Sequence, residues 1–344
     1  MDVVRDHGYH PLRVKRIVQE TPDARSYVLD VPDDLKAAFA YTSGQFCTFR
    51  VTVGEEELYR SYSMSSAPEL DLDLTVTVKQ VLGGAVSNWL HENVAEGDVL
   101  ECNHPAGVFC LRENAQPVIA LCGGSGITPV LAITKTALTS TSRTVALLYA
   151  NRSADSVIFD KDLLGLADAH TGRLSVTHHL DAESGLLTAE AISAFVEPFP
   201  LDADYYLCGP TPFMDLVEQT LLERGVTAEH ILLERFGVAP APAALPADPS
   251  NTVVAGTVTL TLKGKTHELD YVPGDTILET ARRGGIQPPY SCEAGNCATC
   301  MAKLLSGEVR MHANTALTDD ELDEGWVLTC QSVLVTPSAT VEYE

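Results

Sequence analysis

The chain has 344 residues, 45% of them hydrophobic and 20% charged, and 47 acidic against 23 basic side chains give a formal net charge of −24. That length exceeds one ordinary domain and suits two or three, while the excess of carboxylates opposes nucleic acid, whose phosphates would be repelled, and suits either docking on a basic protein surface or plain solvation. No apolar run is long enough to span a bilayer, and the start MDVVRDHGYH has neither the basic nor the apolar part of an export signal, so a cytoplasmic protein without membrane attachment is expected.

Alternating apolar runs at 12–18, 26–31, 46–53, 72–81 and 99–102, separated by turns such as Pro32-Asp33 and Gly97-Asp98, predict an antiparallel sheet or barrel. Within it, Arg60-Ser61-Tyr62-Ser63 occupies a β-region, and Gly84-Ala85-Val86-Ser87 opens a helix running to Leu90. A flavin nucleotide asks for an aromatic face, hydrogen bonds and positive charge, which Tyr62, Ser63 and Arg60 supply; the helix start adds free N–H groups for a pyrophosphate. Taken singly, these patterns read equally as ordinary strand sequence and an N-cap serine.

Beyond residue 114 compact apolar runs alternate with helical stretches: 118–122 then 130–138, 145–149 then 157–169, 174–179 then 189–196, 205–208 then 212–223, closing at 231–233. Such alternation predicts a doubly wound parallel sheet. The first strand meets its helix through Gly123-Gly124-Ser125-Gly126-Ile127-Thr128-Pro129, with Pro129 suited to the first helical position. Glycines there let a diphosphate reach the backbone, or make no more than a tight turn. Cys208-Gly209-Pro210 ends another strand at the carboxyl edge, where such sheets bind ligands, although a lone buried cysteine is commonly inert packing. The pair His178-His179 reads as strand surface.

Residues 238–252, rich in alanine and proline, read as an extended linker. The piece after it opens with a hairpin, 258–262 and 266–272 around Lys263-Gly264, and a helix over 277–283 ending at Gly284-Gly285. Cys292, Cys297, Cys300 and Cys330 have the spacing C-x4-C-x2-C-x29-C, that of a plant-type [2Fe-2S] site. Three thiolates on one loop wrap the cluster, Gly295 permits a sharp bend, and the fourth thiolate arrives from a distant segment. A structural zinc is the alternative, but such sites usually carry two short ligand pairs. The other five cysteines are scattered and, without an export signal, are expected as thiols.

In this order the motifs resemble the ferredoxin–NADP reductase superfamily over essentially the whole chain, and within it the reductase components of bacterial oxygenases. Supporting stretches are SNWL at 87–90, YANR at 149–152 and DEGWVLTCQ at 323–331. The resemblance implies a multidomain chain: an antiparallel β-barrel for FAD over 1–113, an α/β doubly wound parallel sheet for NAD(P) over 114–237, the linker, and a β-grasp, ferredoxin-like [2Fe-2S] domain over 253–344. It implies that Arg60, Ser61, Tyr62, Ser63, Gly84, Val86, Ser87, Thr128 and Phe236 hold FAD. Phe236 would shield one flavin face, though it also reads as a core aromatic. Gly124, Ser125, Gly126, Arg152, Cys208, Gly209 and Pro210 would hold NADH or NADPH, while Ser63, Cys208 and Glu234 orient the nicotinamide. Arg152 suits a 2′-phosphate, yet NADH-using members carry similar sequence, and NADH is the expected coenzyme.

The implied activity is hydride transfer from nicotinamide to flavin, then single electrons to the cluster and on to a separate protein. The chain has no Rieske C-x-H…C-x-x-H pattern, so oxygen activation falls to that partner, expected to be a Rieske-type oxygenase of a steroid or aromatic compound. A di-iron hydroxylase or epoxidase is the alternative partner. A redox-sensing or zinc-stapled scaffold is the non-enzymatic rival.

Overall fold

The computed structural model describes residues 8–236 and 256–343, so the linker expected at 238–252 lies outside the described residues. The chain divides into two compact units: residues 8–57 and 62–236 belong to one, and the segment from 256 onward, together with 58–61, to the other.

The larger unit opens with β1 (His10–Thr21), β2 (Ala24–Asp30), β3 (Phe46–Val53), β4 (Glu56–Ser63), β5 (Leu74–Lys79), α1 (Ala85–Asn93) and β6 (Val99–Cys102). The six strands lie in the order β4-β3-β6-β1-β2-β5, with antiparallel ladders from β1 to β2 and β6, from β2 to β5 and from β3 to β6. A bridge between Met64, just past β4, and Val76 of β5 brings the two edge strands together, which curls the sheet into the expected barrel. Alternation decides which side chains of β1 face inward, with Leu12 and Val14 buried and Arg13 and Lys15 exposed, whereas β2 is buried on both faces from Ser26 to Leu29. In β4 most side chains are half-buried instead of alternating, so the period-2 rule gives no strand there.

The same unit continues through β7 (Val118–Gly123), α2 (Ile127–Ser140), β8 (Val145–Asn151), α3 (Asp160–Ala169), β9 (Leu174–Leu180), α4 (Asp181–Ser184), α5 (Ala189–Val196), β10 (Asp204–Gly209), α6 (Thr211–Arg224) and β11 (Ile231–Arg235). These strands are parallel in the order β11-β10-β7-β8-β9. Every residue of β7 and β8 is buried, as a sheet covered on both faces requires. Val118, Ala120, Leu147 and Tyr149 pack with α2 and α3, whereas Ile119, Leu121, Ala146 and Leu148 pack with α5 and α6. Helices α2 and α3 start away from their expected positions. Helix α2 begins at Ile127, so Pro129 is its third residue and not its first; the position is still free of an intrahelical N–H bond. Helix α3 begins at Asp160, because Phe159 adopts a left-handed φ of 62° and 157–159 form a turn.

The second unit contains β12 (Gly256–Leu262), β13 (Lys265–Tyr271), α7 (Ile277–Arg283), β14 (Met301–Ser306), β15 (Val309–Met311), α8 (Asp319–Asp323), β16 (Trp326–Leu328), β17 (Ser332–Leu334) and β18 (Ser338–Glu342). Lys263 and Gly264 both take positive φ, 49° and 74°, which matches the twist of the β12–β13 hairpin. Five strands pair in the order β13-β12-β18-β14-β16, with β12 and β18 parallel and the other ladders antiparallel. Helix α7 starts from a Thr276–Glu279 capping box and buries Ile277 and Ala281 against Val258, Leu260 and Val341. A helix held across a mixed sheet is the β-grasp arrangement. Among the described residues no helix is long and apolar enough to cross a membrane.

Candidate functional site

Strand β4 carries Arg60, Ser61, Tyr62 and Ser63 in succession, so Arg60 and Tyr62 face one side and Ser61 and Ser63 the other. Ser63 is buried, the Tyr62 ring lies 6.0 Å from that of Phe49, and Arg60 Nη1 donates to the Tyr59 carbonyl at 2.7 Å. Helix α1 starts at Gly84, which makes no side-chain cap bond. Ser87 is therefore not the N-cap; it lies inside the first turn, and its Oγ accepts from the Val81 N–H at 3.1 Å. A Cβ on Gly84 would lie 2.7 Å from that same Oγ. Glycine thus lets the chain fold tightly onto Ser87 and leaves the first-turn N–H groups to an anion, the cradle a flavin pyrophosphate needs. At the other end of α1, His91 is buried with Nε2 2.9 Å from the Val78 carbonyl oxygen, and burial lowers its pKa.

The nucleotide loop follows β7. Gly124 takes a φ of 54°, the Tyr149 hydroxyl donates to its carbonyl at 3.0 Å, and Thr128 Oγ1 donates to the Ser125 carbonyl at 3.0 Å. A Cβ on Gly126 would overlap the carbonyl oxygen of Cys208, and one on Gly209 would reach within 3.0 Å of the Gly123 nitrogen. The two glycine turns foreseen separately, 123–126 and 208–210, therefore abut at the carboxyl ends of β7 and β10. That is where the strand order reverses and such sheets bind ligands. Cys208 is fully buried and faces Glu234 in the β10–β11 register; burial first, and then the Glu234 charge, push its thiol pKa up. Cys208 is a neutral thiol. Cys110 feels the same two influences and is pushed up to about 11. Phe236, just past β11, is 38% exposed, which disagrees with a core role and leaves its ring free to cover a flat ligand.

Two residues at this loop had no motif to announce them. The Lys79 ammonium lies 3.8 Å from the Cβ position of Gly124, and burial lowers its pKa. Asp23, in the β1–β2 turn, sits 3.8 Å from Lys79 Nζ and 2.8 Å from Arg152 Nη2. The one trace in the sequence is a lysine ending an otherwise apolar alternating strand. Arg152, expected at the adenosine ribose, is thus tied across to the FAD-side sheet, with 71% of its side chain exposed.

In the other unit, the cysteine loop is curled by left-handed residues at Glu293 (φ 50°), Gly295 (77°) and Ala298 (55°). A Cβ on Gly295 would meet the Ala313 carbonyl oxygen at 2.7 Å, which is why a glycine stands there. The loop is held from both sides: the Arg282 guanidinium grips the Glu293 carboxylate through two bonds of 2.8 Å and lies 3.8 Å from the Tyr290 ring. Backbone N–H groups of Ala294 and Asn296 approach Cys292 Sγ at 3.4 Å. The Thr329 N–H and hydroxyl bond to the Cys300 carbonyl at 3.1 and 2.9 Å, which brings Cys330 to the loop. A neighbouring thiol and burial push two of these groups up, Cys297 acting on Cys292 and Cys330 on Cys300. Among the described residues no three His, Cys, Asp or Glu side chains converge on a single metal point. The C-x4-C-x2-C…C spacing and the N–H donors already aimed at sulfur suit a [2Fe-2S] cluster; structural zinc sites usually carry two short ligand pairs.

Comparison with known proteins agrees domain by domain. Residues 11–110 match the oxidoreductase FAD-binding domain, 120–219 the oxidoreductase NAD-binding domain, and 260–335 the 2Fe-2S iron-sulfur cluster binding domain. The ferredoxin reductase component of 3-ketosteroid-9-alpha-monooxygenase from Rhodococcus rhodochrous is 38% identical, covering 96% of both chains. One of the chains of 1,2-phenylacetyl-CoA epoxidase from Escherichia coli is 33% identical over 98% of both. Phthalate dioxygenase reductase, described as a modular structure for electron transfer from pyridine nucleotides to [2Fe-2S], shares the fold at a TM-score of 0.62 and 24% identity over 98% of both chains. With its cofactor domains matched in order and relatives alike from end to end, this chain belongs to the family of oxygenase reductase components, NAD(P)H-dependent oxidoreductases that use FAD and a [2Fe-2S] cluster.

Proposed function

We propose that the chain delivers electrons from NADH to a separate terminal oxygenase in the cytoplasm, through FAD held between β4 and α1 and a cluster held by Cys292, Cys297, Cys300 and Cys330. The observation that carries this reading is the left-handed cysteine loop, with Cys330 brought to it through Thr329, on the polypeptide that also has an uncapped helix start and a glycine-lined switch point. We assign residues 1–113, 114–237 and 253–344 to the FAD, nucleotide and cluster domains.

When bound, FAD takes two electrons as hydride from the nicotinamide and releases them singly, and the cluster carries one at a time. The protein's part is positioning. Tyr62 and Arg60 give the flavin an aromatic wall and a cation, with Ser61 and Ser63 on the other side of the strand. Gly84, Val86 and Ser87 present the helix start to the pyrophosphate, and Thr128 braces the junction with the nucleotide loop. Gly124, Ser125, Gly126, Gly209 and Pro210 let the coenzyme approach the backbone. The neutral Cys208 thiol offers the nicotinamide a hydrogen-bonding group without charge, and Glu234 stands beside it. Phe236, with its ring exposed, would cover one face of the flavin and keep water from it.

The 38% identical relative acts with a 3-ketosteroid monooxygenase, which supports a Rieske-type oxygenase of a steroid or aromatic substrate as the acceptor. A second reading, delivery to a di-iron epoxidase, is supported by the 33% identical chain of the epoxidase. Reconstitution with each class of oxygenase separates them by product formation per NADH consumed. The electron path itself is tested with Cys297→Ser: the variant should lose cluster absorption and NADH-driven cytochrome c reduction while retaining NADH-driven ferricyanide reduction through FAD. Undiminished cytochrome c reduction in a cluster-free variant refutes the path.

A further inference from the structure

Gln331, next to the fourth cysteine, has its side chain folded back into the protein. It is 3% exposed, and its backbone is fixed at both groups, the N–H donating to the Leu328 carbonyl and the carbonyl accepting from His312 N–H, each at 2.9 Å. A side-chain amide has two N–H donors. Here Nε2 lies 2.8 Å from the Glu293 carbonyl oxygen and 3.6 Å from Cys330 Sγ. The first bond is to the left-handed residue that begins the cysteine loop, whose carboxylate is gripped by Arg282. The second is to the sulfur that closes the site from a distant segment. One buried amide therefore spans the two parts of the chain that a cluster must join.

We propose that Gln331 is a positioning residue for the cluster, donating a hydrogen bond to the Cys330 thiolate and thereby raising the cluster's reduction potential. Adding an electron makes the cluster and its four thiolates more negative, and an N–H aimed at sulfur stabilises the more negative state preferentially. Cys292 receives such bonds from backbone N–H groups, which only proline would remove; at Cys330 the donor is a side chain and so can be deleted without changing the backbone. The proposal rests on the four cysteines being the cluster ligands.

The test is the midpoint potential of the full-length holoprotein, followed by spectroelectrochemistry at the cluster bands. Gln331→Met keeps the length of the side chain and removes both donors. It should retain the cluster spectrum and lower the one-electron reduction equilibrium constant about tenfold, a fall of about 59 mV. Gln331→Glu should lower it at least as far. A Gln331→Met protein with full cluster absorption and a one-electron reduction equilibrium constant within a factor of two of the parent overturns the proposal. If the variant cannot retain its cluster, the parent protein decides: labelled with [15N]glutamine and reduced, it should give a nitrogen coupling in pulsed EPR, and the lack of one overturns the proposal. A parent protein without [2Fe-2S] absorption would instead remove the ligand assignment, which is a different failure.

Discussion

At Gly126 any side chain would run into the Cys208 carbonyl oxygen, since the two glycine turns of the parallel sheet are in backbone contact there. A Gly126→Ala substitution must push β7 and β10 apart at their carboxyl ends. Overpacking of this kind costs about 1–3 kcal/mol, and for a unit of this size each kcal/mol lowers the melting temperature by about 2–4 °C. The same shift displaces the coenzyme site, so kcat/KM for NADH should fall along with the melting temperature; normal kinetics in a well-folded variant would show that the turns do not need to touch. Asp23 acts in the opposite sense. It holds Arg152 at 2.8 Å and sits 3.8 Å from Lys79, engaging the two cations closest to the nucleotide loop. An exposed ion pair is worth up to about 1 kcal/mol, so Asp23→Ala should free Arg152 and raise kcat/KM for NADPH relative to NADH by about two- to fivefold. An unchanged coenzyme ratio would mean that Arg152 does not meet the ribose. The glycines and cysteines of these sites were legible in the sequence because their spacing is dictated by backbone geometry. Asp23 and Lys79 were not, because a carboxylate in a turn and a lysine ending a strand acquire meaning only once β5 lies against the loop after β7. Ser87 was misread as a possible cap for a related reason: its partner, the Val81 N–H, precedes the helix, whereas a cap serves N–H groups that follow it.

Among the elements, α1 links the flavin cradle at its start to a buried histidine near its end. His91 Nε2–H donates to the Val78 carbonyl oxygen, and burial depresses its pKa below the ordinary value near 6.5. The sign follows from proton counting. Above about pH 7.5 both folded and unfolded chains leave this imidazole neutral, and it contributes no pH dependence. As the pH drops through about 6.5 the unfolded chain takes up a proton that the folded one resists, so stability falls until the pH reaches the lower folded pKa. Melting temperatures of the holoprotein between pH 7.5 and 5.5 should therefore decline more steeply for the parent than for His91→Gln, and FAD should be retained better by the variant at the acid end. Parallel declines would show that other groups govern acid stability. Most elements followed from periodicity, including β3, β6, α5 and α7 with both ends correct. The β-region at 60–63 is the end of β4, whose earlier residues show no alternation because candidate ligand-binding side chains lie on both faces. The start of α3 was missed because it is set by the left-handed Phe159, whose ring is buried.

For the molecule as a whole, the division into two units carries a consequence for how it comes apart. The unit of residues 8–57 and 62–236 has a core on each face of its parallel sheet, besides the barrel interior around Leu12, Tyr27 and Phe49. The other has its own, formed where α7 crosses the mixed sheet and continued around Cys300 and Cys330. Neither of the larger unit's sheet-face cores takes a residue from beyond 236, and neither core of the smaller unit takes one from before it. A domain with a complete core can fold alone. Residues 58–61 run within β4 but belong to the smaller unit. A chain ending at residue 236 should therefore be soluble, bind one FAD and reduce ferricyanide with NADH at a rate within a few-fold of the full-length enzyme. Its cytochrome c reduction should be lost, because the thiols that would carry single electrons lie in the part removed. If β4 needs the second unit to stay in register, the truncated protein will instead lose FAD while α2 and the parallel sheet remain folded, a result that far-UV circular dichroism and flavin content together distinguish from global unfolding. Retained FAD with full ferricyanide activity would establish that the two-electron half of the reaction is built entirely within the first 236 residues.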